Sequence, residues 1–301
     1  MRIVSLLPSA TEIVCALGLN KYLVGVSHEC DFPEEVKNLP KVTKSLIPET
    51  ASSKEIDLLV REKLKTNRAL YSLDSKILED LKPDLIVTQA LCDVCAVAES
   101  EVQEIACKLL SAPQVINLEP QTLTQVYDSM VQVGIATKTK ENAYEVVKGL
   151  QKRVEQVVTR SKLIKKKHRV VFLEWLDPPF CAGHWTPELI TFAGGIELIG
   201  QAGKPSRTLT WNEIISANPE LIVIAACGFD VARTLQDVPV LKALKAKFDL
   251  VKTRFFVIDG SQYFNRPGPR LVDSLEVLAH AIDPQVHPLP SHLQPALKVE
   301  L

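Results

Sequence analysis

Two segments of this chain repeat one another. Leu81-Lys82-Pro83-Asp84-Leu85-Ile86-Val87 is matched far downstream by Ala217-Asn218-Pro219-Glu220-Leu221-Ile222-Val223. In each, a proline closes a helical stretch, an acid follows, and a short apolar run begins. Apolar runs without alternation suit strands of a parallel sheet covered on both faces. A second pair stands in the same register. Thr11-Glu12-Ile13-Val14-Cys15-Ala16-Leu17-Gly18 corresponds to Glu188-Leu189-Ile190-Thr191-Phe192-Ala193-Gly194 with its preceding Thr186-Pro187. Each follows a β-rich run, Ile3 to Leu7 and Val170 to Trp175. Ser9 and Glu12 have capping-box spacing, Pro187 suits a first helical turn, and the glycines suit helix stops.

The pattern predicts an α/β chain with two Rossmann-like lobes and mainly parallel sheets. By the spacing of its two landmarks the first lobe carries an insertion of about forty residues relative to the second, in the region of Pro48 to Asp74. Between the lobes, Val146, Val147, Leu150, Val154, Val157 and Val158 recur at helical spacing, so one long helix joins them. The expected division is 1–137 for the first lobe, 138–168 for the connecting helix, 169–283 for the second lobe and 284–301 for a proline-rich tail. In open α/β sheets, ligands bind beyond the carboxyl ends of the strands. The loops after Leu7, Val26, Val87, Leu118, Trp175, Ala225 and Ile258 are therefore expected to line a cleft between the lobes.

Four of those loops carry unusual chemistry. After Val26 comes Ser27-His28-Glu29-Cys30-Asp31-Phe32-Pro33, and after Val87 comes a segment with Cys92 and Cys95. Thiolates and imidazoles bind zinc and softer metals, which makes Cys30, Cys92 and Cys95, with His28, a candidate metal set. The bland alternative is that these cysteines are small buried apolar residues. The stretch from Glu174 to Trp185 holds Trp175, Phe180, His184 and Trp185 beside two prolines. Aromatics retained in a loop suit a flat or large apolar ligand. A loop folded under its own aromatics is the competing reading. The stretch after Ile258 adds Tyr263, Phe264 and Arg266, the last able to grip a carboxylate or phosphate. Ser9 at the first helix start and Phe229 in the loop after Ala225 complete the candidate ligand contacts.

Charge and motifs narrow the function. Lys plus Arg number 35 against 36 Asp plus Glu, so nucleic acid is not an expected partner. The basic run Lys162 to Arg169 reads as a solvated helix end. No P-loop, Gly-x-Ser-x-Gly, His-Glu-x-x-His or Gly-x-Gly-x-x-Gly occurs, and no paired acid and base stand at defined spacing. A non-catalytic binder is expected over an enzyme. A tetrapyrrole enzyme using Glu29 or His184 as acid–base group is the weaker alternative. Seven cysteines, an odd number, argue for reduced thiols. The N-terminus reads as a strand and turn, which implies a cytoplasmic chain, or a periplasmic one whose leader has been removed. No segment is apolar enough for membrane insertion.

The opening Ser5-Leu6-Leu7-Pro8-Ser9-Ala10-Thr11-Glu12, then Leu23-Val24-Gly25-Val26-Ser27, then Lys82-Pro83-Asp84-Leu85-Ile86-Val87 resemble the helical-backbone substrate-binding proteins of ABC importers. That family carries cobalamin, iron–siderophores and haem. The greatest similarity is to its cobalamin-binding branch, through Val24 to Pro33, Phe172 to Gly183 and Ser261 to Arg270. The resemblance spans residues 1 to 282. It implies a class III periplasmic-binding-protein-like fold with little domain motion, no catalysis, and a permease as partner. Its ligand would be cobalamin or a related corrinoid, met by aromatics of the Phe180 loop and Tyr263–Phe264 and by the His28 loop. An intracellular corrinoid carrier and a Cys/His metallochaperone remain the alternatives.

Overall fold

The computed structural model describes residues 1–48, 51–65, 70–89, 99–247 and 253–300. The chain divides into two compact units, residues 1–120 with 124–147, and residues 121–123 with 148–301.

The strands of the first unit are β1 (Ile3–Ser5), β2 (Leu23–Val26), β3 (Thr43–Ser45), β4 (Tyr71–Leu73), β5 (Leu85–Gln89) and β6 (Gln114–Leu118). Its helices are α1 (Pro8–Ala16), α2 (Ser53–Lys65), α3 (Ser75–Leu81), α4 (Glu99–Lys108), α5 (Leu123–Ala136) and the first part of α6 (Lys140–Ser161). Four strands form a parallel sheet in the order β2-β1-β5-β6. All five residues of β5 are buried, the apolar run Leu85 to Val87 and the polar Thr88 and Gln89 alike. Val4, Ile86, Leu78, Val102 and Ala106 share one core cluster beneath α3 and α4. The expected insertion contains α2 and β4, and β4 pairs antiparallel with β3, which lies just before the insertion, as a two-stranded ribbon.

The second unit contains β7 (Arg169–Leu176), β8 (Pro179–Cys181), β9 (Ile196–Glu197), β10 (Leu221–Ile224), β11 (Arg254–Val257) and β12 (Leu297–Val299). Its further helices are α7 (Thr186–Phe192), α8 (Trp211–Ser216), α9 (Val231–Leu235), α10 (Val238–Lys247) and α11 (Leu271–Ile282). The sheet runs β12-β11-β10-β7-β8, with β9 also beside β7. β7, β10 and β11 are parallel, and β8 and β12 pair antiparallel on either side of them. Val171, Leu173, Ile222, Ile224, Phe255 and Val257 alternate onto one core face. The proline-rich segment after Asp283 runs back along this unit and ends as the edge strand β12.

The sequence repeat is a repeat of structure. Asp84 Oδ2 accepts the backbone N–H of Arg2 at 2.7 Å, and Glu220 Oε2 accepts that of Arg169 at 3.1 Å. Each arginine then donates from Nε to a carbonyl at the preceding helix end, Leu81 at 2.6 Å and Asn218 at 2.9 Å. Lys82 and Asn218 both adopt a left-handed conformation, with φ of 44° and 51°. The acid before each apolar run thus pins the start of the neighbouring strand.

Two local expectations change. Pro8 is the first residue of α1, so no capping box forms; Ser9 instead points its hydroxyl toward Gln89 Oε1, 3.5 Å away. The basic run lies beyond the end of α6 at Ser161, not on it. Lys166 bonds Glu220 at 2.6 Å, and with the Arg169 N–H it holds that carboxyl down at about 2.

Candidate ligand-binding site

In the second unit, the turn at Asp177-Pro178 folds β8 back on β7 as a hairpin. What reads as a loop in sequence is therefore paired structure. Trp175 and Phe180 are direct cross-strand partners and share a face of the sheet. The ring of Phe229 lies 4.7 Å from that of Trp175, and the Arg233 guanidinium sits 4.2 Å above Phe229. Trp175, Phe180 and Phe229 are all half-exposed. They form an aromatic surface at the carboxyl end of the sheet. Arg233, contributed by α9, is a participant the sequence did not single out.

The backbone holds this surface in place. The Phe229 carbonyl accepts N–H groups from Gly260 at 2.9 Å and Ser261 at 3.0 Å. Gly260 is needed for this approach, because a Cβ there would fall 2.0 Å from the Ala226 carbonyl oxygen. Asn265 Nδ2 donates to the Gly260 carbonyl at 2.7 Å. Glu174 ties the β8 side: it accepts the Gly183 N–H at 3.0 Å and the Ser206 hydroxyl. Burial raises the Glu174 carboxyl above its ordinary range, against the effect of those two donors.

In the first unit, His28 and Glu29 stand after β2. Thr43 Oγ1 donates to Ser27 Oγ at 3.0 Å and lies 3.0 Å from the His28 N–H and 2.7 Å from His28 Nδ1. With its one proton committed to Ser27, Thr43 accepts from Nδ1–H. That assigns the lone pair of His28 to Nε2. Burial lowers the His28 pKa, which favours the neutral ring. The Tyr71 hydroxyl donates to Glu29 Oε1 at 2.9 Å, and its ring lies 5.2 Å from that of His28. Sequence reading missed Tyr71 and Thr43, which reach His28 only through the β3–β4 ribbon.

A profile of the periplasmic binding protein family matches residues 3–250. The chain belongs to that family. A vitamin B12-binding protein of Vibrio cholerae is 22% identical over 278 residues, which is 91% of this chain and 86% of that protein. An uncharacterized ABC transporter substrate-binding lipoprotein of Bacillus subtilis is 26% identical over 297 residues, covering 94% and 80%. A periplasmic heme-binding protein of Pseudomonas aeruginosa has the same fold, with a TM-score of 0.71 at 19% identity over 100% of this chain and 99% of that one. The family is one of non-catalytic binding proteins for ABC import, so this chain is a binder rather than an enzyme. No helix among the described residues is long and apolar enough to cross a membrane.

For this periplasmic binding protein, several expected ligand contacts lie inside the fold. Trp185 is 4% exposed and donates its indole N–H to the Phe264 carbonyl at 2.6 Å. Phe264 is 1% exposed and packs 4.7 Å from Phe172. Rings so enclosed present no face to a ligand; they hold α7 and the Tyr263 loop against the core. Ser9 is buried as well. Arg266 is buried with its guanidinium 3.4 Å from Ser261 Oγ, so it braces its own loop. His184 and Tyr263 are half-exposed, the former with a pKa lowered by burial and the latter beneath Arg270 at 5.9 Å.

The thiol candidates separate. Cys92 and Cys95 lie outside the described residues. Cys30 is 2% exposed and its sulfur sits 3.1 Å from Thr11 Oγ1, turned from the rim into α1. Among the described residues, the metal-type cluster is Asp273, Glu276 and His292, and Arg153 already binds both carboxylates.

Proposed function

We propose that this protein captures a tetrapyrrole-type ligand, in first place cobalamin or a related corrinoid, for delivery to an ABC importer permease. The observation that carries the reading is the aromatic surface of Trp175, Phe180 and Phe229, built on a hairpin and fixed by paired backbone bonds. Rigid, half-exposed rings bind a flat macrocycle with little ordering cost. The B12-binding and heme-binding relatives give the ligand class. The first unit carries a polar cluster of its own, His28, Glu29 and Tyr71. The lone pair assigned to His28 Nε2, 3.9 Å from Glu29 Oε1, supports a ligand that carries a metal.

The test is a titration of the purified protein with cyanocobalamin, aquocobalamin and hemin, followed by visible absorption and calorimetry. A saturable spectral shift with a Kd of about micromolar or tighter supports the reading. Corrinoid binding stronger than hemin binding assigns the branch. The absence of saturable binding for all three overturns it.

A further inference from the structure

From Arg160 to Arg169 the chain holds six lysines and arginines and no acid. The structure carries this run off the end of the helix. α6 stops at Ser161, and the N–H groups of Leu163 and Ile164 bond back to the Arg160 and Ser161 carbonyls at 2.8 and 3.2 Å, closing a tight turn. The two apolar residues of the turn point different ways. Ile164 is 9% exposed and roots the turn against Gly194, where a Cβ would fall 2.5 Å from Ile164 Cδ1. Leu163 is 70% exposed. Around it Lys162, Lys165, Lys166 and Lys167 are all exposed as well. The segment then enters β7, where Arg169 pairs with Ile196, itself 43% exposed, and the His168 carbonyl accepts the Ile196 N–H at 2.8 Å.

Glu220 answers one of these cations: it binds Lys166 at 2.6 Å and lies 3.4 Å from His168 Nδ1. Among the described residues, Lys162, Lys165 and Lys167 form no ion pair. Three lysines thus keep their charge around an outward leucine. Leu110, which is more exposed still, lacks this company: the lysine beside it, Lys108, is held by Glu104 at 2.6 Å.

We propose that this turn is a peripheral membrane-binding surface, at which Lys162, Lys165 and Lys167 meet anionic lipid headgroups and Leu163 enters the boundary beneath them. Water penalises the exposed leucine, and lysines held side by side repel one another. An anionic bilayer surface relieves both at once, taking the ammonium groups at its phosphates and the apolar side chain at its acyl boundary. Nucleic acid complements the lysines but offers Leu163 no apolar layer. The occupant also suits the family, since a binding protein for ABC import works against a permease in a membrane. The turn stands at the amino end of β7 and Trp175 near its carboxyl end, about 20 Å along the strand. Lipid contact therefore leaves the aromatic surface open to ligand while concentrating the protein where its permease lies.

Flotation of the full chain with protein-free lipid vesicles tests this. Vesicles of phosphatidylcholine alone are compared with vesicles holding about 40% phosphatidylglycerol, in low salt and in about 0.3 M salt. The expected result is binding to the anionic vesicles alone, lost at the higher salt. A lysine near an anionic lipid surface is worth about fivefold, so Lys162→Gln, Lys165→Gln and Lys167→Gln together should lower the partition coefficient about a hundredfold. Leu163→Ser alone should lower it about tenfold, an effect that a purely electrostatic contact does not show. All four side chains are exposed, so urea melts of the variants should match wild type. Equal binding to neutral and anionic vesicles overturns the proposal. So does binding that survives the triple substitution or is indifferent to Leu163→Ser. Affinity for a DNA duplex equal to that for the anionic vesicles, and lost in the triple variant, would assign the lysines to nucleic acid and overturn it too.

Discussion

The rings of Trp175 and Phe229 lie 4.7 Å apart at an interplanar angle of 41°, although one stands in β7 and the other in the loop after β10. The Arg233 guanidinium also lies 4.2 Å from the Phe229 ring. Truncating it removes a ligand surface and releases Trp175 at the same time. Phe229→Ala is expected to weaken corrinoid binding roughly tenfold to a hundredfold, the worth of one well-placed aromatic contact. The half-exposed ring contributes less to folding, so the urea midpoint should move little. Calorimetric titration beside a urea melt separates the two. Unchanged affinity would remove the aromatic surface from the binding site.

Gly260 is the residue that sets Phe229 in place. A Cβ at this position would meet the Ala226 carbonyl oxygen at 2.0 Å, a distance no side chain can tolerate. Gly260→Ala must push the two loops apart and lengthen the bonds to the Phe229 carbonyl. Overpacking of this kind costs about 1–3 kcal/mol. Both the unfolding midpoint and ligand affinity should fall, whereas Gly149→Ala on α6, with open space at the Cβ, should not destabilise.

Much of this fold could be read locally. Pro83 and Pro219 end helices by their own geometry, and the runs after them are strands because five and four consecutive residues are buried. The site was less legible. Phe180 and Phe264 sit in similar aromatic, turn-rich stretches, yet one is half-exposed and the other is core. Which way such a ring turns depends on distant partners, here Phe172 for Phe264. Tyr71 reaches Glu29 across 42 positions of sequence, by way of β4, which lies inside the insertion and pairs with β3 before it. The Ser9–Glu12 spacing misled because Pro8, one residue earlier, already fits the first helical position.

His287 gives the fold an acid limit. It is 2% exposed, and its Nε2 lies 3.2 Å from Ser161 Oγ. Ser161 donates to the Phe192 carbonyl at 2.7 Å, so it accepts from Nε2–H, and Nδ1 is left buried without a partner. Burial lowers the His287 pKa; Asp283 opposes this, while Arg160 and His280 add to it. The unfolded chain therefore binds the proton more readily. The contribution is complete above about pH 6.5 and is lost as pH falls below it, with a slope of at most about 1.4 kcal/mol per pH unit. Burial raises Glu174 and Glu197, which act with the opposite sign: their stabilisation is present below about 4.5 and lost as pH rises through their raised values. Denaturant melts of wild type and His287→Leu between pH 5 and 8 isolate the histidine. The difference should grow toward wild type as pH rises, and parallel curves would refute the assignment.

Arg153 of α6 carries a second, electrostatic constraint within the C-terminal unit. Its guanidinium bonds Asp273 at 2.5 Å and grips Glu276 through Nη2 at 2.6 Å and Nε at 3.1 Å. Both carboxylates are largely buried, with side chains 15% and 12% exposed. Removing the cation leaves two like charges together, which costs more than the ion pair itself contributes. Arg153→Met is expected to lose about 2 kcal/mol, less than for a fully enclosed pair because the arginine is 31% exposed. The same substitution frees Asp273, Glu276 and His292, whose ligand atoms lie within 4.8 Å of one another. Zinc should then raise the unfolding temperature of the variant and leave the wild type unchanged. A variant as stable as wild type, or one indifferent to zinc, would show that Arg153 is not neutralising this pair.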